Sequence, residues 1–364
     1  MGRLLGARVG WMMLATTALG ADAGPADLSQ LKARIESGAI PGVHSVVVMA
    51  DRKTIAEWYF DGVDTTIGPT GPIELGRVAF TPETLHDVRS VTKSIVSLLF
   101  GIAYSNGAIK SLDTPVLDYF PEFADLRTPE RMKIRIRDVL TMTSGLHWDE
   151  RTYPYSDVRN SEIAMDIAGD PYRYVLSGSI DAAPGARFNY SGGDVAIVAA
   201  IVARSTRTPI ETYARENLFT PLGIARFEWT KSGGNDIPRA ASGLRLTTND
   251  MARIGALMLD GGRWEGRQIV PESWVTAATT PHIDVEGDAK CGTKYGYLWW
   301  LGAGCAATPP APWFAAFGNG GQRIWVIPSR KLVIASTGGL YNDPKQAEPS
   351  LEVLTGVLGG VSAH

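Results

Sequence analysis

The order of the predicted secondary-structure elements is the feature that most constrains how this chain folds. Short strand-like runs occur in pairs near both ends, at residues 44–50 with 54–60 and at residues 322–327 with 331–337. Each pair is rich in β-branched or aromatic residues around a short turn, a pattern typical of an antiparallel hairpin. The sequence between the pairs has mostly helical periodicity. We therefore predict an α+β fold in which both chain ends build one antiparallel sheet around a mostly helical insertion.

Three helices are predicted with particular clarity inside that insertion. Apolar residues recur at helical spacing from 91 to 102, and again from 249 to 259. Residues 195–202 are almost wholly apolar, and Asp194 just before them is expected to cap a helix buried in the core. The seam between such helices and the sheet is a common place for a binding cleft.

The composition indicates a globular protein without an affinity for nucleic acid. The chain has 364 residues, of which 45% are hydrophobic and 20% charged. Its formal net charge of -3 leaves no cationic excess with which to bind a phosphate backbone. We therefore expect a small-molecule substrate and no nucleic-acid partner.

The N-terminal segment predicts export. Two arginines precede an apolar run at 9–19, and a small-x-small cleavage pattern follows at 21–23. We interpret residues 1–23 as a secretory signal, with an uncleaved anchor or a buried helix as alternatives, and place the mature chain in the periplasm or outside the cell. No later segment is apolar for long enough to cross a membrane. In an oxidising compartment Cys291 and Cys305 can form a disulfide, and two free buried thiols are the alternative.

Ser90 and Lys93 are the residues from which a chemistry is predicted. They form an S-x-x-K sequence, and on a helix this spacing places the hydroxyl and the amine on one face. A serine needs a base to become nucleophilic, and a crowded lysine can supply one. The same pattern occurs at 29–32, where we assign it no role, and an ordinary helix cap is the alternative for Ser90. Only Ser90 opens an apolar helix, whose positive end favours a developing negative charge.

Other hydrolytic patterns are missing from the sequence. It contains no G-x-S-x-G elbow, no H-E-x-x-H and no Cys-x-x-Cys, and its five histidines are scattered. His86 lies four residues before Ser90, which favours a structural role over that of a triad base. No Gly-rich phosphate loop is present either. We therefore predict that the protein requires no metal and no organic cofactor.

Several longer motifs carry a family resemblance across nearly the whole mature chain. The motifs are Phe80-Thr81-Pro82-Glu83-Thr84, Arg89-Ser90-Val91-Thr92-Lys93-Ser94, Asp138-Val139-Leu140-Thr141-Met142-Thr143-Ser144-Gly145-Leu146, Pro184-Gly185, Phe188-Asn189-Tyr190-Ser191, Ala241-Ser242-Gly243-Leu244-Arg245, Gly261-Gly262-Arg263-Trp264, Tyr295-Gly296-Tyr297-Leu298-Trp299-Trp300 and Gly318-Asn319-Gly320-Gly321-Gln322. With these motifs in this order, the chain resembles the class C β-lactamase-related serine hydrolases, which are penicillin-binding-protein-like. Each motif alone is weak, and together they are specific.

The resemblance implies catalytic roles for particular residues. Ser90 is expected to be the nucleophile, Lys93 its partner, and Tyr190, in the place of the Tyr-x-Asn tyrosine, the proton relay. Residues 316–318 are expected to replace the Lys-Thr-Gly of the family. The backbone N–H groups of Ser90 and Asn319 then form the oxyanion hole. A register a few residues earlier, near Trp313, is the alternative for this third motif.

Two departures from the family pattern bear on the substrate. Gly192 stands where Tyr-x-Asn has its asparagine, and Ala316 stands where Lys-Thr-Gly has its cation. A β-lactam carboxylate would lose its main partner, so efficient β-lactamase activity is not expected. These variants resemble the relatives that hydrolyse 6-aminohexanoate oligomers or simple esters. The resemblance implies substrate contacts for Tyr153 and Tyr155 on the loop after Thr-Ser-Gly-Leu.

Gly192, Gly318 and Gly320 are also candidates for lining the substrate, although Gly320 and Gly321 fit an ordinary turn equally well. The expected activity is hydrolysis of an amide or ester through an acyl-enzyme. The alternatives are a β-lactamase or D-alanyl carboxypeptidase acting on cell-wall-like substrates, and a non-catalytic binder of peptidoglycan or another partner. We expect one domain over residues 24–364, with an α/β lobe at 24–90 and 291–364 and a helical lobe at 91–290. The oligomeric state is left open by the sequence.

Overall fold

The computed structural model describes residues 27–68, 71–233, 236–285, 292–304 and 310–361. The predicted signal at 1–23 and both cysteines, Cys291 and Cys305, lie outside the described residues. Among the described helices, none combines the length and the apolarity needed to cross a bilayer.

The strands of the described residues are distributed over both ends of the chain and a few short central segments. In chain order they are β1 Val43–Ala50, β2 Lys53–Tyr59, β3 Asp61–Gly68, β4 Gly71–Ala79, β5 His86–Asp87, β6 Glu228–Trp229, β7 Leu244–Leu246, β8 Arg263–Trp264, β9 Arg267–Gln268, β10 Ile283–Asp284, β11 Lys294–Tyr295, β12 Trp300–Gly302, β13 Trp313–Gly318, β14 Gln322–Ile327 and β15 Leu332–Gly338.

The predicted antiparallel sheet is confirmed. Eight described strands form it in the order β10-β11-β12-β13-β14-β15-β1-β2, so the two chain ends meet where β15 pairs with β1. In that central pairing Val47 lies opposite Ala335, and on the other side of β1 it lies opposite Glu57. Both predicted hairpins are present, β1 with β2 and β14 with β15. Strand β10, inside the span expected to be helical, joins the edge of this sheet.

Helices cover both faces of the sheet. They are α1 Ser29–Glu36, α2 Val91–Ser105, α3 Ile136–Leu140, α4 Ser161–Ile167, α5 Pro171–Ser177, α6 Gly192–Thr206, α7 Ile210–Ala214, α8 Thr248–Leu259, α9 Glu272–Ala278 and α10 Ala347–Gly360. Leu31 of α1 and Val353 of α10 belong to the smaller apolar cluster on one face. The larger cluster on the other face contains residues of α2, α6 and α8. Helix α2, apolar on nearly all sides, is buried between the sheet and the other helices, as its sequence predicts.

The start of α6 differs from the prediction. The helix begins at Gly192, and Ser191 is its N-cap, with Oγ accepting a hydrogen bond of 3.0 Å from the backbone N–H of Asp194. Asp194 is therefore not the cap but a buried carboxyl in the first turn. The cap lies three residues earlier than predicted, so Tyr190 immediately precedes the capping residue.

A second feature was not predicted. Strands β3 and β4 form a separate hairpin, and residues close to its tip, Ile67 and Pro72, line the cavity that contains Ser90. Polar residues and glycines interrupt these strands, so their alternation in the sequence is weak.

Candidate active site

Ser90 is presented by a strained turn at the start of α2. The preceding residue, Arg89, has a φ of 48°, in the left-handed region that residues other than glycine seldom adopt. Asp87 Oδ1 accepts a 3.1 Å hydrogen bond from the Arg89 backbone N–H, and Asp87 Oδ2 forms an ion pair with Arg89 Nε, also at 3.1 Å. The guanidinium also lies 4.6 Å from the ring centroid of Tyr341. These contacts stabilise an unfavourable backbone conformation, which is typical of functional turns.

Lys93 lies one helical turn after Ser90, and the two side chains meet as predicted. Lys93 Nζ donates hydrogen bonds of 3.0 Å both to Ser90 Oγ and to the backbone carbonyl of Ala241. The lysine side chain is almost fully buried. Because the carbonyl and the neighbouring carboxylates described below fix its position, the amine remains directed at the serine.

Tyr190 completes the group of three. Its side chain lies beside those of both Ser90 and Lys93 and interacts with each. Its half-buried ring lies 5.7 Å from that of Trp300 and 4.9 Å from Lys93 Nζ. The structure therefore brings together the three side chains predicted to be catalytic, although 97 residues separate Lys93 from Tyr190.

The electrostatics of this group favour protonated forms. Burial raises the pKa of Tyr190, and the positive charge of Lys93 only partly opposes that effect. For Lys93, burial is the largest influence and lowers the pKa, but the negative charge of Tyr190 once it ionises, together with those of Glu150 and Glu162, outweighs burial and leaves the pKa raised. In the resting state, Lys93 is an ammonium and Tyr190 a neutral phenol.

Two buried glutamates beside Lys93 were not predicted from the sequence. Lys93 Nζ lies 3.7 Å from an oxygen of Glu150 and 3.8 Å from an oxygen of Glu162. Glu150 follows the Thr-Ser-Gly-Leu segment, and Glu162 lies in the first turn of α4.

Gly192 provides the space for these carboxylates. A Cβ atom at position 192 would lie 2.8 Å from Glu162 Oε2 and 3.2 Å from Glu150 Oε2. The Gly192 backbone N–H also donates a 2.7 Å hydrogen bond to Glu150 Oε2. Glu150 and Glu162 therefore occupy the space that a side chain at position 192 would fill, and a glycine there makes room for them.

The third motif lies against the turn that holds Ser90. A Cβ atom at Gly318 would lie 2.3 Å from the backbone carbonyl of Val88, so only glycine allows this approach. Asn319 lines the same cavity as Ser90, and neither of their backbone N–H groups is used in a turn or capping hydrogen bond among the described residues. The Asn319 side chain is bound to Asn342 by two 2.8 Å hydrogen bonds, and these contacts fix the turn that follows β13.

Gly320 follows in a turn that requires glycine, because its φ is 91° and a Cβ atom would lie 2.6 Å from the ring of Tyr341. Arg323, on β14, is a buried cation that was not predicted. Its Nη1 donates to the carbonyls of Gly318 (2.7 Å) and Gln322 (2.8 Å), and its guanidinium lies 4.9 Å from the Phe317 ring centroid. Burial lowers its pKa to about 10, so it remains charged at neutral pH.

The cavity at Ser90 comprises about 370 Å³ of space, part of which is open to solvent. Of the two loop tyrosines, Tyr155 lines it, whereas Tyr153 packs under the guanidinium of Arg159 at 4.3 Å. Among the described residues, no cluster of His, Cys, Asp and Glu is arranged to hold a metal ion. The lining residues are Ile67, Pro72, Arg89, Ser90, Tyr155, Glu162, Ile163, Asp166, Ser242 and Asn319.

Comparisons with known proteins agree with this geometry. Residues 29–348 match the model of the Beta-lactamase family. The 6-aminohexanoate-dimer hydrolase of Paenarthrobacter ureafaciens is 25% identical over 285 residues, which cover 74% of this chain and 70% of that protein. The chain therefore belongs to the Beta-lactamase family, which confirms the predicted family and the class of serine hydrolase.

Solved structures support the same fold at low sequence identity. EstCE1, described as a hydrolase with promiscuous acyltransferase activity, superposes with a TM-score of 0.68 at 16% identity, covering 91% of this chain and 97% of that one. The octameric penicillin-binding protein homologue from Pyrococcus abyssi has a TM-score of 0.65 at 19% identity, with coverages of 92% and 77%. These likenesses confirm the predicted β-lactamase/transpeptidase-like fold.

Proposed function

We propose that this chain hydrolyses a small-molecule amide or ester through an acyl-enzyme on Ser90. The observation that carries the proposal is that the Ser90 hydroxyl, at the cavity, accepts a 3.0 Å hydrogen bond from the Lys93 amine, while the Tyr190 ring lies 4.9 Å from that amine. A nucleophile beside a proton acceptor, with the backbone N–H groups of Ser90 and Asn319 at the same cavity, is the arrangement that acyl transfer requires.

The first half-reaction forms the acyl-enzyme. Tyr190 reacts in its ionised form, stabilised by the ammonium of Lys93, and takes the proton of Ser90 while Oγ attacks the substrate carbonyl carbon. The resulting oxyanion accepts hydrogen bonds from the backbone N–H groups of Ser90 and Asn319. Collapse of this intermediate breaks the amide or ester bond, and the leaving amine or alcohol takes the proton from Tyr190.

The second half-reaction repeats these steps with water. Tyr190 removes a proton from a water molecule as the water oxygen attacks the acyl carbon. When the second tetrahedral intermediate collapses, Ser90 leaves as the alkoxide and recovers the proton from Tyr190. The balance closes with one water consumed and the enzyme unchanged.

The cavity favours a compact, linear substrate rather than a β-lactam. Ile67, Pro72 and Ile163 provide apolar walls, while Glu162 and Asp166 make one side acidic. An anionic substrate group is disfavoured next to these carboxyls. The 6-aminohexanoate-dimer hydrolase relative supports an amide between amino-acid-like units as one substrate class.

Covalent labelling tests the proposal. The protein is treated with a fluorophosphonate, its intact mass is measured, and the modified peptide is mapped. We expect one adduct, located on Ser90 and absent from the Ser90→Ala variant. Ser29→Ala, which removes the serine of the second S-x-x-K sequence, is the matched control and should label normally.

Substrate preference is measured on the same preparations. Initial rates with a p-nitrophenyl ester, a linear amide and a chromogenic β-lactam should rank the first two above the third. Stoichiometric labelling elsewhere than Ser90, or turnover that survives Ser90→Ala, would overturn the mechanism. Absence of any adduct would favour a binding role.

We also propose that the chain is exported. The support is the signal-like sequence at 1–23, which lies outside the described residues. Expression of the full-length chain in a bacterium, followed by fractionation and N-terminal sequencing, tests this proposal. A mature N-terminus near residue 24 in the periplasm or medium is expected, and an intact cytoplasmic chain contradicts it.

A further inference from the structure

Glu150 and Glu162 are two buried carboxyl groups that the proposed mechanism does not use. Their side chains are almost fully removed from solvent, yet both lie within 4 Å of the same lysine. Two carboxylates beside one ammonium leave an excess negative charge in a medium where such a charge is strongly destabilising. This imbalance needs a physical explanation.

The hydrogen bonds around Glu150 are complete. Its Oε2 accepts from the indole N–H of Trp148 and the backbone N–H of Gly192, both at 2.7 Å, and its Oε1 accepts from the Tyr155 hydroxyl at 2.9 Å. Three donors stabilise the ionised form of a carboxyl group. Glu150 alone is thus well suited to carry a negative charge.

The hydrogen bonds around Glu162 are incomplete. Its Oε1 accepts a 2.5 Å hydrogen bond from the Ser242 hydroxyl, whereas its Oε2 is buried and has no donor among the described residues. The carboxyl groups of Glu162 and Glu150 nevertheless lie side by side, because each has an oxygen within 4 Å of Lys93 Nζ and an Oε2 within 3.2 Å of the Cβ position at Gly192. Two ionised carboxylates have no proton to place between them, but a carboxylic acid and a carboxylate do.

We propose that Glu150 and Glu162 share one proton and act together as a single negative charge that holds Lys93 as an ammonium against Ser90. In this arrangement the shared proton satisfies the orphan oxygen, and the pair matches the one positive charge beside it. The two glutamates are positioning residues, because they act on the reaction through Lys93. The inference rests on the proposed function of Ser90, Lys93 and Tyr190.

The position of Gly192 supports this inference independently. A side chain there would meet both carboxylates, so the pair and the glycine depend on each other. In place of a polar side chain at 192, the chain has two acids that reach the lysine from α4 and from the loop before it.

Other charged and titratable groups face the pair. Burial raises the pKa of Glu150, with the charge of Glu162 adding to the effect, while Lys93 and the hydrogen bonds to Trp148 and Gly192 oppose it. Asp166 carries a pKa raised by burial to about 7, opposed by Arg239 at 2.8 Å. The groups that interact electrostatically with one or both glutamates are Lys93, Tyr155, Asp166, Tyr190, Asp194, Arg239 and Tyr295.

The test compares the pH dependence of kcat/KM for a p-nitrophenyl ester in Glu150→Gln, Glu162→Gln and the double variant. Each single variant keeps one negative charge beside Lys93, so the pH at which the Lys93–Tyr190 pair loses its proton should move by less than about half a unit. The double variant loses the charge altogether, and this midpoint should move to lower pH by about one unit or more.

The pattern across the three variants distinguishes the possibilities. Equal and additive shifts in the two single variants would mean that both glutamates are ionised, and no shift in the double variant would mean that neither is. Either result overturns the inference. Asp250→Asn is the matched control, because it alters a buried carboxyl with a raised pKa in the cap of α8, and it should leave the midpoint in place.

Infrared spectroscopy provides a measurement that does not require the double variant to fold. A difference spectrum is obtained at neutral pH by subtracting the spectrum of each single variant from that of the wild-type protein. Each difference spectrum should contain one carboxylic acid band. Absence of this band from both difference spectra contradicts a shared proton. Labelling of Ser90 is measured in parallel. Normal labelling of Ser90 together with an unchanged pH midpoint in the double variant refutes this inference alone. Absence of labelling in the wild-type protein refutes the proposed function.

Discussion

Replacement of Gly192 by alanine is the most direct perturbation of the Glu150–Glu162 pair beside Lys93. The added Cβ would lie 2.8 Å from Glu162 Oε2 and 3.1 Å from the Cβ of Ala241. Crowding of this kind in a packed interior destabilises by about 1–3 kcal/mol, while alanine in place of glycine inside a helix stabilises by up to about 1 kcal/mol. We therefore expect the free energy of unfolding to fall by about 0–2 kcal/mol.

The effect on activity should be larger than the effect on stability. The crowded carboxylates retract from Gly192, and Lys93 follows them because both lie within 4 Å of its Nζ. A displaced amine no longer holds its 3.0 Å hydrogen bond to Ser90 Oγ. We expect kcat/KM to fall by about tenfold or more, equivalent to about 1.4 kcal/mol of transition-state stabilisation.

Urea unfolding and steady-state ester hydrolysis measure the two quantities. Gly359→Ala is the matched control, since this glycine of α10 has no atom near the position of an added Cβ, and it should leave kcat/KM unchanged. In a Glu162→Ala background the stability effect of Gly192→Ala should be reduced by about 1 kcal/mol, because the main clash is gone. A Gly192→Ala enzyme within twofold of wild-type kcat/KM would refute the reasoning.

Four further outcomes are expected. Because the pKa of Tyr190 and that of Lys93 both lie above their ordinary values, kcat/KM should rise about tenfold per unit between about pH 6 and 9, and a flat profile contradicts the assignment. Tyr190→Phe keeps the ring but removes the proton acceptor, so kcat should fall about 10²–10⁴-fold with little change in urea unfolding. Burial raises the pKa of Asp194 to about 8. The folded state therefore retains a proton that the unfolded state releases, so the free energy of unfolding should fall as pH rises from about 4 to about 8. Urea unfolding at about pH 5 and 9 measures this fall, and most of it should be absent in the Asp194→Asn variant. In the Arg239→Lys variant, an ammonium cannot make all the contacts of the forked guanidinium with Asp166 and two carbonyls, so KM should rise by a larger factor than kcat falls. A larger effect on kcat than on KM in steady-state kinetics contradicts a role of Arg239 in shaping the cavity.

The parts of the site that could be predicted are those set by local spacing or by a family motif. Helical geometry alone brings Ser90 and Lys93 together, because they are three positions apart and therefore share one face. The sheet could be predicted from the runs of β-branched and aromatic residues around short turns at both chain ends, and the ladder between β1 and β15 confirms the expected pairing of those ends. Tyr190 required the family resemblance, since nothing in its local sequence separates it from an ordinary core tyrosine.

The parts that could not be predicted depend on contacts between distant segments. Glu150 and Glu162 reach Lys93 from a loop and from α4, and no spacing rule links positions so far apart. The close approach of Gly318 to Val88 is likewise a tertiary contact, so the sequence left the register near Trp313 open. The cap of α6 was misplaced for a different reason, because Ser191 and Asp194 are both good capping residues and only the backbone path decides between them.

Arg239 connects the β3–β4 hairpin, which lines one side of the cavity, to Asp166 on the acidic side. Arg239 contacts Asp166 at 2.8 Å and donates to the carbonyls of Ile67 and Gly68 at 3.3 and 2.9 Å, near the tip of the β3–β4 hairpin. Because its guanidinium is buried, the hairpin cannot lift from the cavity without breaking hydrogen bonds that water does not readily replace. The same interactions that balance the acidic charges near Lys93 therefore also limit the size of the acyl group. A change of substrate range in this chain should require coordinated changes in the hairpin and around Arg239, rather than a substitution in the cavity wall alone.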